Sequence, residues 1–181
     1  MKEISARKVI GLLAGLVLVA TLGCAPVKTI WTSQPVSGMV SNRCFEARLE
    51  PLKQGRPFFV SFRLEVKNHT RDDLTIDWNK TAYIHNGEER GIFVFAGIDP
   101  EDVKNRSIPP DIIPPGHTFR KIVAPQDLLA RAPMRARSQP SGIEAGILPT
   151  GENAMRLVVG YRGEELVETI SIKIIEEKTG P

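Results

Sequence analysis

The chain has 181 residues, with 24 basic and 21 acidic side chains for a net charge of +3, and only two cysteines. That length allows one domain with a substantial core and leaves no room for a large multidomain enzyme. The near balance of charge gives no electrostatic footprint for nucleic acid, and two cysteines cannot staple a disulfide scaffold.

Residues 1–23 differ in kind from the rest of the chain. Lys2, Arg7 and Lys8 form a basic opening, an apolar run extends from Val9 to Leu22, and Gly23 stands directly before Cys24. This order of parts is that of a secretory leader. The apolar run falls short of the roughly 20 residues that a membrane-crossing helix needs. The leader holds three of the 24 basic and one of the 21 acidic residues, which leaves 21 against 20, a net of +1, for the rest.

Leu22-Gly23-Cys24 resembles the lipobox of bacterial lipoproteins, with Thr21 where that family usually has leucine. The resemblance implies cleavage before Cys24, a diacylglycerol on its sulfur and an acylated amino group. Several acyl chains, each buried CH2 contributing roughly 0.8 kcal/mol, exceed the marginal hold of a single chain. Ala25, where inner-membrane members often carry aspartate, implies the outer membrane, facing the periplasm. With Cys24 a thioether, Cys44 is left as a free thiol.

Residues 24–39 carry Pro26, Ser33, Pro35, Ser37 and Gly38 without a period, and are expected as a lipidated cysteine and flexible tether with a relaxed reach of roughly 20 Å. Trp31 suits either the lipid interface or the edge of the domain. From residue 40 the pattern becomes period two, and 40–176 is expected as one β domain followed by a tail at 177–181. Phe45, Ala47 and Leu49 alternate with Cys44, Glu46, Arg48 and Glu50, and then Phe58, Val60, Phe62, Leu64 and Val66 alternate with Phe59, Ser61, Arg63, Glu65 and Lys67. Leu74, Ile76, Trp78, Ala82 and Ile84 keep one parity, which predicts a long kinked strand. Asn86-Gly87 predicts a tight hairpin into a strand from Gly91 to Phe95.

The Pro-rich passage 97–117 is too broken for a strand, although Asp99-Pro100 suits the start of a helical turn. Thr118–Ala124 is a short strand, Gln126–Arg131 suits a helical turn, and 132–153 is expected as loop. Met155, Leu157, Val159 and Tyr161 form the next strand. Leu166, Ile170, Ile172 and Ile174 form the last, with Glu168 breaking the face. Seven strands with closely spaced turns predict an all-β, antiparallel sandwich. The order is similar to that of immunoglobulin-like domains, with Trp78 where those place a core tryptophan but without their paired cysteines.

There is no G-x-S-x-G, H-E-x-x-H or C-x-x-C motif and no glycine-rich phosphate loop, so no catalytic residue, metal site or cofactor is expected. His69, His85 and His117 fall in or beside turns at unrelated spacings, and nothing in the spacing of Met39, Met134 and Met155 joins them to His117 as a copper site. Two long loops, 97–117 and 125–153, exceed the usual length and are candidate working parts. The second carries Arg131, Arg135 and Arg137, whose planar guanidinium groups suit a protein, carboxylate or phosphate partner. Parity sets Cys44 on the exposed face of its strand. The expected function is that of a non-enzymatic lipoprotein, anchored in the membrane and docking an envelope protein. The alternative is a lipoprotein that binds a metal ion, a glycan or a small apolar molecule.

Overall fold

The structure, a computed structural model, describes residues 28–131 and 143–179. More than half of the compact unit Thr29–Glu177 is strand, and almost none of it is helix. In chain order these are β1 (Lys28–Gln34), β2 (Gly38–Ser41), β3 (Phe45–Leu52), β4 (Ser61–Asn68), β5 (Leu74–Ile76), β6 (Ala82–His85), β7 (Glu88–Val94), β8 (Asp111–Ile113), β9 (Thr118–Pro125), β10 (Leu129–Arg131), β11 (Ile143–Ala145), β12 (Gly151–Tyr161) and β13 (Glu164–Thr179). The helical parts are α1 (Pro100–Asn105) and one 3-10 turn at Gln126–Leu128.

Eleven strands form one curled antiparallel sheet in the order β1-β13-β12-β6-β7-β9-β4-β3-β2, with β5 beside β12 and β8 beside β5. The sheet turns a corner where β7 meets β9, at Phe93 opposite Pro125 and Val94 opposite Ala124. Both halves then share one core: Phe45, Leu49, Phe62 and Leu64 from one side, Ile76, Tyr83, Leu157, Ile170 and Ile172 from the other. Each large apolar side chain so buried contributes roughly 1.5–3 kcal/mol. The first strands complete the curl. β1 pairs with β13 and β2 with β3, so the chain crosses from one half to the other between them, at a cis Gln34–Pro35 bond. There Gly38 lies so close to β13 that a Cβ would sit 2.7 Å from the Ser171 carbonyl oxygen.

The period-two reading holds best in β3 and β4. Phe45, Ala47 and Leu49 stand against Asn68, Val66 and Leu64, all buried. On the outer face, Glu50 pairs with Arg63 at 3.0 Å and Glu65 with Arg120 at 2.6 Å. The hydrogen bond from Arg120 holds the Glu65 carboxyl below its ordinary pKa.

The seven expected strands become thirteen among the described residues, and the differences are local. The stretch read as a tether is strand from Lys28, with Trp31 half-buried against the core and 6.4 Å from the ring of Phe58. The tail read at 177–181 is strand as far as Thr179. Phe58 and Phe59 precede β4 rather than alternating within it, and Phe59 is buried. The kinked strand is two, β5 and β6, both paired with β12 and separated by a turn. In that turn Thr81 Oγ1 donates to the Asp77 carbonyl and accepts from the Val158 N–H. Asn86 and Gly87 both have positive φ, 49° and 81°, as the expected hairpin requires. Glu168 is explained by the turn before β3: Asn42 accepts from the Cys44 and Phe45 N–H groups, and its Nδ2 donates to Glu168 Oε1 at 2.9 Å.

The Pro-rich passage is ordered. Asp99 caps α1 by accepting from the Glu101 N–H, and the Asn79 amide both donates to the Ile108 carbonyl and accepts from its N–H. Contrary to expectation the passage contains a strand, β8, set between Pro109-Pro110 and Pro114-Pro115 and paired with β5. β8 is tied to β9 by a polar knot among aromatics. Asp111 Oδ2 accepts from Trp78 Nε1 at 2.7 Å and from Lys121 Nζ. The ammonium also lies 3.8 Å from the ring centroid of Phe95, 5.4 Å from that of Trp78 and 5.5 Å from that of Phe119.

Two stability measurements probe these contacts. Replacing Lys121 with Met keeps the stem and removes the charge, leaving Asp111 short of a partner in a largely desolvated place. The expected cost is about 1–3 kcal/mol, a fall of several degrees in Tm, and an unchanged Tm would show the knot to be dispensable. Tyr83 donates its buried hydroxyl to Asn153 Oδ1 at 2.6 Å, and burial, then the Asp127 carboxylate, pushes its pKa well up. Since the folded phenol keeps its proton to higher pH than the unfolded one, its stabilising effect is full below about pH 10 and is lost as pH rises beyond. Tyr83→Phe is expected to cost about 1–3 kcal/mol at neutral pH, by orphaning Asn153 Oδ1, and to flatten the alkaline decline. Urea unfolding at pH 8 to 11 tests both, and equal alkaline slopes in the two proteins would refute the titration.

Candidate functional site

Of the two long loops, only the second leaves the main sheet. After β9 the 3-10 turn redirects the chain into β10, which pairs antiparallel with β11 and, among the described residues, with no other strand: Leu129 opposite Ala145, Ala130 opposite Glu144, Arg131 opposite Ile143. The base of this ribbon is fastened to the domain. The Gly146 N–H donates to the Leu128 carbonyl at 2.8 Å, and Leu128 is packed on the core. Leu148, fully buried, donates its N–H to the Phe59 carbonyl at 2.9 Å. Gly146 is required by the closeness of that contact, since a Cβ would stand 2.1 Å from the Leu128 oxygen.

Arg131 is the last described residue of β10, so the ribbon sets it at the start of the segment bearing the other two arginines. Arg135, Arg137 and Met134 lie outside the described residues, as does Cys24. Cys44 carries a free thiol, and although its parity is that of the outer face it is half-buried and touches the core. The histidines are apart from one another in their bonding. His85 Nε2 is 3.0 Å from the Thr150 carbonyl oxygen, His117 Nδ1 is 3.0 Å from that of Pro115, and the His69 N–H donates to the Cys44 carbonyl. Met155 is in the core while Met39 is exposed. Among the described residues no three His, Cys, Asp or Glu side chains are grouped to hold a metal ion, and no helix is long and apolar enough to cross a membrane.

A second surface was not visible in the sequence because its residues come from five separate segments. An open groove of about 370 Å³ on the face away from the core is lined by Ala82, Ile92 and Val158. It is bounded by Lys80, which pairs with Glu165 and with Asp77 at 3.6 Å, and by Arg156, which pairs with Glu89 at 2.8 Å. The Glu165 hydrogen bond holds the Lys80 ammonium above its ordinary pKa. Arg106, exposed at the end of α1 in the left-handed region at φ 51°, completes the rim. The rim thus mixes both signs of charge, with Lys80 and Arg156 each already paired to a rim carboxylate.

Fold and surfaces together define an all-β protein of antiparallel strands, with one ribbon set outside its main sheet. Compared with models of protein families, with curated proteins and with solved structures, the chain matches none.

The ribbon's attachment makes a specific demand. Gly146→Ala is expected to push the chain away from Leu128 and to raise amide hydrogen exchange in 129–131 and 143–145 severalfold, while Tm falls by only a few degrees. Unchanged exchange in those six residues would mean that the contact does not hold the ribbon.

Proposed function

We propose that the protein is a non-enzymatic lipoprotein of the bacterial envelope, anchored through Cys24 in the outer membrane and facing the periplasm. Its β domain, an immunoglobulin-like sandwich in this reading, serves as a protein-interaction or assembly accessory module. The observation that carries this is the β10–β11 ribbon, the only strand pair among the described residues that joins no larger sheet. A two-stranded ribbon gains little stability by itself in water, and among the described residues its outer edges pair with no further strand, which suits addition of a partner strand. The arginines at positions 131, 135 and 137 in the same segment add bidentate donors for an acidic partner surface.

The second reading, a ligand-binding lipoprotein, rests on the groove rimmed by Lys80, Arg106 and Arg156.

Crosslinking in intact cells, followed by purification and mass spectrometry, separates the two. One envelope partner is expected, lost on Cys24→Ala and weakened at least severalfold when Arg131, Arg135 and Arg137 are all changed to Ala, with Tm unmoved. Recovery unchanged by the triple substitution would remove the ribbon's role. No partner at all, with a small ligand retained by the purified domain in native mass spectrometry, would transfer the function to the groove.

A further inference from the structure

We infer that the protein pairs with a second copy of itself through the uncharged run of residues 29–42. The run holds no Asp, Glu, Lys, Arg or His, in a chain whose charged fraction is 25%. It spans both end strands of the main sheet, since β1 lies beside β13 and β2 beside β3. Among the described residues neither strand has a neighbour on its other side. Edges of this kind are usually blunted by charge, proline or a bulge. Here the one proline of the run, Pro35, stands between the two strands rather than in either. Large apolar side chains are also left uncovered beside these edges. Val36 is 75% exposed and Met39 63%, the two highest values among the large apolar side chains described.

The chemistry of the run selects its partner. A charged strand docked here would lose hydration and find no counter-charge within the run. A second copy brings no charge of its own. Antiparallel pairing about a two-fold axis also sets the same backbone groups against one another, so that donors of one edge meet acceptors of the other. The midpoint of residues 29–42 falls between Pro35 and Val36. An axis there sets β2 of one copy along β1 of the other, covers Met39, and brings the Val36 side chains of the two copies together. A contact confined to such a run is smaller than the roughly 1,200 Å² of a standard interface, so the dimer is weak and reversible. It is separate from the β10–β11 ribbon and does not depend on the chemical state of Cys24.

The test is sedimentation velocity of the full-length protein in density-matched detergent, between about 5 and 200 μM, where a weak dimer forms by mass action. The mean mass of the wild type should climb towards that of a dimer. Val36→Lys and Val36→Glu should each shift the transition to at least severalfold higher concentration, with Tm unmoved. Both substitutions spare the Val36 carbonyl, which accepts from Ser33 Oγ at 3.3 Å. An equimolar mixture of the two variants should associate at least as well as the wild type, because opposite charges then meet at the axis. A wild type that stays monomeric throughout would overturn the inference. So would a dimer indifferent to both substitutions, or a mixture that associates no better than either variant alone. A dimer lost instead on changing Arg131, Arg135 and Arg137 to Ala would move self-association to the ribbon and refute the edge contact.

Discussion

A sheet that curls until its halves share a core must be held shut along its open sides, and on one of them the work falls to a single ammonium group. Lys121 is on β9 and Asp111 on β8, so their ion pair joins the two halves of the curl across the core's flank. The pair is half-buried, and such pairs are favourable only when further bonds compensate for lost hydration. Here the Trp78 indole N–H supplies the second donor to Asp111, and three aromatic faces surround the ammonium. Trp78 is itself fully buried, so one side chain serves the core with its ring and the seam with its nitrogen. The opposite side is closed by other means, with Gly38 pressed onto β13 and Asn42 bonded to Glu168.

The same geometry determines where another chain can add. Unpaired strand edges invite association, and folded proteins usually blunt them. β8 is bracketed by two proline pairs, which lack the N–H groups that a new strand would need. The part of β7 that pairs with β6 but not with β9 carries Glu88, Glu89 and Arg90, of which Arg90 is paired with Glu88 at 2.9 Å. No such protection is built into β10 and β11, whose sequences Leu-Ala-Arg and Ile-Glu-Ala hold no proline. β1 and β2, the two end strands of the main sheet, hold no proline either, so the ribbon shares that open character with them.

The parts of the fold that were legible in the sequence divide along the same lines. β3 was visible because it has one face on the core and one away from it, which imposes period two on the residues themselves, and in β12 the core residues Met155, Leu157 and Val159 keep the same spacing although Ala154 and Val158 are buried too. β4 was visible for the same reason, except before its start, where the adjacent Phe59 and Val60 are both buried and Phe58 is half-buried. β2 and β8 were not, because they are short segments whose strand conformation comes from the neighbour they pair with, and β1, though seven residues long, shows no period of its own. Three residues cannot show a period, and prolines and serines in the first 39 positions suggested coil. The Glu168 irregularity was visible but not interpretable, since its partner Asn42 lies far away in sequence. For the sites, the arginine-bearing loop was legible from composition, whereas the Lys80–Arg156 groove exists only because β6, β7, β12 and β13 are adjacent.

These constraints bear on function through the parts they leave movable. The Pro-rich loop, which length alone suggested as a working part, is fixed at Ile108 by Asn79, at Ile113 by Asn68 and at Asp111 by Lys121. Its role is to close the fold. Among the described residues the second loop is held at its base, through Gly146 and Leu148, and its paired strands join no strand of the main sheet. Loss of the ribbon's own pairing would therefore leave the core, both seams and every strand of the curl intact. Among the described residues the ribbon is therefore the one strand pair that the main sheet does not incorporate, and its base sets its place in the fold.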